Sequence, residues 1–281
     1  MAFSITDLVM KDLPFNHEWE IVFYVQLIWF ALLCVTTVTL VILNFAFISS
    51  AGLKGFCIYF TVFTLLKFAG GITGVILLSH KNLVSGLFIA TYIFNTVSLG
   101  VLTKSLFPYL ETMLKGDPRM GKLEEPDQPQ FKFGRFNFTP LRVVTLTILA
   151  AIICSIVGSS SISTDGPTPS STNTLFRVSS VLFTLCVLAM TAILIYIANK
   201  HAVFTRICMF LLVAAPLLLV RCVYSLLSSF HGISFGNPSK YMIIFGDYKY
   251  YALMALLEEG LVGVVFIITF FWFMKLEKTL L

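Results

Sequence analysis

Seven apolar runs, each long enough to cross a bilayer, follow one another along the chain with short polar breaks between them. Their limits are about 20–48, 54–79, 83–107, 141–158, 175–198, 204–230 and 249–274. Only two breaks are long. Lys104–Arg142 is rich in Pro, Gly and charge, and Gly158–Asn173 in Ser, Thr, Pro and Gly. Both read as solvated connectors rather than folded modules. No internal repeat is visible, and an odd number of spans does not divide into two inverted halves. The pattern predicts an all-α fold, a polytopic membrane bundle of seven transmembrane helices that forms one integral membrane domain over residues 1–281.

The last run breaks the pattern. Tyr250–Trp272 holds two adjacent acids, Glu258 and Glu259. An acid at the centre of a spanning helix costs about 2.5–3.5 kcal/mol on the insertion scale. Such residues face a bundle interior by default and mark a functional site. Counted from the same end of the membrane, Arg221 in span six lies about nine residues deep, and the two acids nine to ten residues deep in span seven. At 1.5 Å per residue all three share a level roughly 14 Å down. Lys67 and Asn95, in spans two and three, fall slightly deeper. Five polar groups are thus expected around one hollow.

Composition supports membrane residence. Hydrophobic residues make up 58% of the chain and charged residues 12%, against about 25% charged in soluble domains. A formal charge of +5 does not point to nucleic acid; the basic residues report topology. Lys54, Lys104, Lys115, Arg119, Lys122, Lys132, Arg135, Arg142, Lys200, Arg206, Lys275 and Lys278 fall on one side. Lys11, Lys81, Arg177, Lys240 and Lys249 fall on the other. This bias of twelve to five predicts a luminal N-terminus and a cytosolic C-terminus, in the endoplasmic reticulum. The sequon Asn137-Phe138-Thr139 would then be cytosolic and unglycosylated. The first 19 residues, with Asp7, Lys11, Asp12, His17 and Glu18, do not read as a cleaved leader. Cys34, Cys57, Cys154, Cys186, Cys208 and Cys222 all lie in spans without metal-ligand spacing, and are expected to be packing residues.

Polar faces can be read on three spans. Arg221, Tyr224, Ser225 and Ser228 follow i, i+3, i+4, i+7, and Pro216 is placed to kink the same helix. Lys67 heads a stripe with Gly70, Gly71 and Gly74, whose small residues permit close helix approach. Thr91, Asn95 and Ser98 form the third face. The simplest account is structural: Lys67 and Arg221 neutralise Glu258 and Glu259 in two pairs that fix spans two, six and seven. Adjacent helical residues point about 100° apart, however, so the acids do not easily share a partner. Arg221 can hold one carboxylate ionised through a two-pronged bond. The other, less well paired, would stay protonated. An acid beside a fixed anion is a pairing suited to acid–base chemistry. Weaker signals have plain readings. Asp247 is expected as an N-cap, Glu18 and Glu20 as interface charges, and His80, Lys81, His201 and His231 as loop or turn residues. Tyr241, Tyr248, Tyr250 and Tyr251 are expected in an interfacial aromatic belt or on a pocket rim. Some of the 28 phenylalanines could line a pocket and steady a carbocation.

The segments PLLLVRCVYSLLSSF and ALLEEGLVGVVFIITF resemble the last two spans of a group of fungal seven-span proteins. KFAGGITGVI resembles the basic-plus-glycine segment of their second span, although Lys67 stands where arginine is more usual. Members of comparable size and hydropathy occur as fungal integral-membrane terpene cyclases of meroterpenoid biosynthesis, and this chain is similar to those. The resemblance implies acid-initiated cyclisation of a prenylated, farnesyl-type meroterpenoid or its epoxide. The sequence alone is compatible with this, since a prenyl tail reaches an intramembrane site from lipid and the chemistry needs neither cofactor nor metal. Glu258 or Glu259 would donate the proton, with Arg221 orienting the other. Lys67, Asn95, Tyr224, Ser225 and Ser228 would bind substrate. The expected partners are the bilayer and a prenylated small molecule, not nucleic acid. A lipid or drug translocator is the alternative, recognisable by export without conversion. A seven-span receptor is less well supported, since about Asn199–Val203 is short for a coupling loop.

Overall fold

Each apolar run folds as a helix because, in hydrocarbon, a helix satisfies its own backbone N–H and C=O groups. The structure, a computed structural model, describes residues 17–47, 51–79, 85–115, 131–133, 136–138, 140–162, 169–200, 204–233 and 239–280. The first helices are α1 (His17–Phe47), α2 (Ala51–Ser79), α3 (Ser85–Ser105) and the short α4 (Phe107–Lys115). A two-stranded antiparallel ribbon, β1 (Phe131–Phe133) and β2 (Phe136–Phe138), follows, with Lys132 opposite Asn137. Then come α5 (Pro140–Ser160), α6 (Ser170–Lys200) and α7 (Thr205–His231). The last span has three parts: α8 (Tyr248–Tyr251), a π-helical stretch (Ala252–Leu256) and α9 (Leu257–Leu280).

Seven of these helical stretches are long and apolar enough to cross a membrane. The protein is an integral, multi-pass membrane protein of the all-α class. The small ribbon lies in the long connector, where sequence alone indicated no fold. The third span also runs further than its hydropathy suggests, to Leu114. A one-residue turn at Leu106 separates α3 from α4. Pro108, which has no N–H to donate, is accommodated in the first turn of the new helix. His80, Lys81, His201 and the connector residues Arg119, Lys122, Arg135 and Thr139 lie outside the described residues.

Neighbours in sequence pack as neighbours in space: α1 on α2, α2 on α3, α5 on α6, α6 on α7 and α7 on α9. Contacts of α3 with α5 and of α1 with α9 tie the bundle together. The outer surface is as apolar as the interior. On α1, Ile21, Val25, Ile28, Leu32 and Val35 are exposed while Trp19, Phe23, Gln26, Phe30, Leu33 and Thr37 are buried. That is the signature of a helix solvated by lipid on one face and by protein on the other. Gly71 allows a close approach of two helix backbones, since a Cβ there would sit 3.1 Å from the Cα of Leu27. The glycine stripe expected on span two therefore does bring helices close, with α1 as the partner.

Two faces of the bundle frame the candidate site. Towards the end where α1 finishes, Phe56 stacks between Phe60 and Phe270 with Tyr109 at 4.6 Å, filling that half with rings. At the opposite face, where α1 begins, α7 stops at Gly232, whose φ of 75° suits glycine. Residues 239–247 then fold over the bundle, burying Met242, Ile243, Ile244 and Phe245. Trp19 Nε1 donates to the Gly246 carbonyl (3.1 Å), and Phe88 stacks on Phe245. Asp247 caps the last span by accepting from Lys249 N–H at 3.0 Å, the role its position suggested.

Candidate functional site

Glu259 projects into the middle of the bundle and is fully buried, as are Lys67 and Arg221. Arg221 Nε donates to Glu259 Oε1 at 2.5 Å, and the Lys67 ammonium sits on Oε2. The two cations of spans two and six therefore share a single carboxylate. This replaces the two separate pairs expected from the sequence. Their common depth, deduced by counting residues, holds for Arg221 and Glu259. Lys67 and Asn95 are not deeper but directly joined to them.

Polar side chains extend the triad. Lys67 Nζ donates to Asn95 Oδ1 (3.1 Å), and Asn95 Nδ2 donates to the Thr91 carbonyl (3.0 Å). Arg221 uses its remaining nitrogens on Ser225 Oγ (2.5 Å) and the Asn95 carbonyl (3.3 Å). Gln26 Nε2 donates to the Lys67 carbonyl (3.0 Å) and to Asn95 Oδ1 (3.2 Å). The Tyr251 hydroxyl lies within reach of Gln26 Oε1 (2.7 Å) and Asn95 Oδ1 (2.8 Å), and donates its one proton between them. Phe30 and Tyr251 offer ring faces to the ammonium at 5.9 and 6.0 Å. Five spans, the first, second, third, sixth and seventh, are joined by this network. Expected to receive a substrate head group, Lys67 and Asn95 are instead bound to protein.

Gln26 and Tyr251 are the members that sequence reasoning missed. Gln26 is an amide in the middle of an otherwise apolar run, and its desolvation cost was a readable signal. The place of Tyr251 near the end of a run suits an interfacial belt or a pocket rim. The rings of Trp19, Phe23 and Tyr224 surround Tyr251 in the bundle.

Glu258 is in a different position. One residue earlier, it is turned about 100° away and is only half-buried, beside the exposed Leu257 and Leu261. Its Oε2 is buried without a hydrogen-bond partner among the described residues. Tyr224 shares this property: its hydroxyl is buried and unpartnered, and its ring faces the Arg221 guanidinium at 5.7 Å. Ser228 is buried one turn further along α7. Ser225, beyond its bond to Arg221, borders a void of about 20 Å³ with Ser155, Ser179, Ser180, Ser229 and Thr96. That is room for a water molecule rather than a prenyl chain. Phe176 and Phe183 also border this void, while Phe56, Phe60 and Phe63 pack on one another. Among the described residues no group of three His, Cys, Asp or Glu side chains is placed to hold a metal ion.

Chemically, the arrangement separates two carboxyls of identical type by one residue. Both carboxyl oxygens of Glu259 are held by basic side chains. Glu258 keeps one buried oxygen without a hydrogen-bond partner among the described residues and lies beside exposed leucines. A family model described as a domain of unknown function, DUF7702, matches residues 18–276. Neither a curated protein nor a solved structure matches the chain.

Proposed function

This chain belongs to the DUF7702 family, and we propose that it is a membrane-embedded cyclase acting on a prenylated, lipid-soluble substrate. One observation carries the reading. Of two adjacent intramembrane acids, one is held between two cations and the other keeps an unpartnered carboxyl oxygen beside lipid-facing leucines. Glu258 is the proton donor. It carries its proton because an unpaired carboxylate at this depth would leave a charge without compensation. A prenyl chain dissolved in the bilayer reaches it laterally, past Leu257 and Leu261.

The chemistry balances without a co-reactant. Glu258 passes its proton to an olefin carbon or an epoxide oxygen, and the resulting electron deficiency draws in the next double bond to close a carbon–carbon bond. The ring cation then loses a proton to the Glu258 carboxylate, which restores the acid and leaves an isomer of the substrate. Arg221, Lys67 and Glu259 do not touch the substrate in this scheme. They position α9 so that Glu258 faces outwards. The Tyr224 hydroxyl, buried and unpartnered among the described residues, is the group on α7 that would take the substrate's polar head, with Ser225 and Ser228 near it in sequence. The orientation proposed for the chain places its N-terminus in the lumen of the endoplasmic reticulum, on the bias of twelve basic residues to five.

The test is conversion of a farnesylated phenol, or its epoxide, by membranes containing the protein, followed by chromatography and loss of olefinic signals. Glu258→Gln is expected to lower conversion by about 10²-fold or more while leaving the amount of folded protein unchanged. Full conversion by that variant would refute the assignment. Export of the unchanged compound would favour a translocator.

A further inference from the structure

Counting along an unbroken α-helix puts the wrong acid inside. The residue seven after Tyr251 returns to the same face two turns on, and that residue is Glu258. Glu259 takes the place instead because one extra residue is wound into Ala252–Leu256. There, Leu257 N–H donates to the carbonyl of Ala252, five residues back. Glu259 therefore holds the inner position only while the extra residue lies on the Tyr251 side of the acids. If the bulge moved past them, each residue it crossed would step by one helical position, about 100°. Glu258 would then turn in between Lys67 and Arg221, and Glu259 would move to the buried place that Gly260 now holds against Trp29.

We propose that the slot between Lys67 and Arg221 has two resident carboxylates, Glu258 and Glu259, exchanged by migration of the π-bulge along the last span. Adjacency of the acids is what makes both registers electrostatically equivalent, because one carboxylate bridges the two buried cations in either. The residues that follow suit the movement. Gly260 and Gly263 resist loss of regular helix least. Gly260 lies where a Cβ would approach Trp29 Nε1 to 2.6 Å. In the exchanged register Glu259 enters that position. Trp29, 42% exposed, swings towards lipid and its indole N–H donates to the displaced carboxylate. The exchange goes beyond the cyclase reading and stands whether or not the protein turns over a substrate.

Thermal stability of the purified protein in detergent tests it. Glu258→Gln, Glu259→Gln and the double variant are compared in the full chain and in a chain lacking Met254, whose deletion removes the extra residue and fixes the present register. In the full chain, Glu259→Gln is expected to melt above the double variant by about 4 °C or more, because Glu258 takes the vacated slot. Glu258→Gln alone shifts the midpoint by less than this difference. Without Met254 the difference disappears. Equal midpoints for Glu259→Gln and the double variant in the full chain would overturn the proposal. Should those variants fail to fold, backbone hydrogen exchange on the unaltered protein decides. Residues 252–263 are expected to exchange faster than 264–272, and equal protection of the two segments would overturn it.

Discussion

Removing the two cations separately and together gives the sharpest test of the triad. Arg221→Met deletes three hydrogen bonds, to Glu259, Ser225 and the Asn95 carbonyl. Interhelical hydrogen bonds in membranes are worth about 0.6 kcal/mol on average and about 1.7 at most, so the expected loss is about 2–5 kcal/mol. Lys67→Met deletes two contacts, to Glu259 and Asn95, for about 1–3 kcal/mol on the same scale. Each single variant leaves Glu259 with one cation, a neutral pair. The double variant leaves it with none, and stranding a buried charge costs a further 3–5 kcal/mol or about that. The double loss must therefore exceed the sum of the singles. At about 2–4 °C per kcal/mol for a chain of this size, the excess is about 6 °C or more. Heating detergent-solubilised variants and measuring the surviving monodisperse fraction gives the midpoints. If the two losses simply add, the carboxylate is not shared as the structure shows, and the argument from charge fails.

Other outcomes follow from single contacts. Gln26→Leu breaks the link between α1 and the triad and is expected to cost about 1–2 kcal/mol in the same heating assay, with no change in protein topology. Gly100→Ala would place a Cβ 2.6 Å from Ile152 Cγ1 and 2.9 Å from Phe183; the crowding is expected to cost about 1–3 kcal/mol. Gly86→Ala meets nothing within 4 Å and serves as its control, with a midpoint at or above that of the parent. Asn137 is expected to carry no glycan when the chain is made in a eukaryotic host, read as no mobility shift on glycosidase treatment. A shift would invert the orientation proposed above.

Much of this architecture can be read before any coordinates. Hydropathy gives seven spans because hydrocarbon leaves a chain few ways to satisfy its backbone. Depth counting brings Arg221 to Glu259 because both helices keep a rise of 1.5 Å per residue. What could not be read is which acid faces inwards. That depends on one extra residue wound into Ala252–Leu256, and a bulge of this kind leaves no mark in a hydrophobic run whose every position is apolar. The sharing of Glu259 was hidden for a related reason. Equal numbers of buried cations and acids invite pairing one to one, and only the rotation of α9 shows that Glu258 takes no part. Tyr251 illustrates a third limit. Its burial comes from Trp19, Phe23 and Tyr224 on other helices, tertiary neighbours that local sequence does not announce.

The bond between Tyr251 and Gln26 joins positions 225 residues apart. Ribosomes add about 5–20 residues per second, so roughly 10–45 s of synthesis separate the two partners. For most of that interval Gln26 and, once made, Lys67 already occupy their helices, while Arg221 and then Glu259 have yet to be added. The nascent protein must therefore hold a lone ammonium at membrane depth until its final segment arrives. Early spans that are retained beside the insertion machinery, or kept hydrated there, would meet this need, and a chain truncated before Tyr248 should be released poorly and degraded quickly.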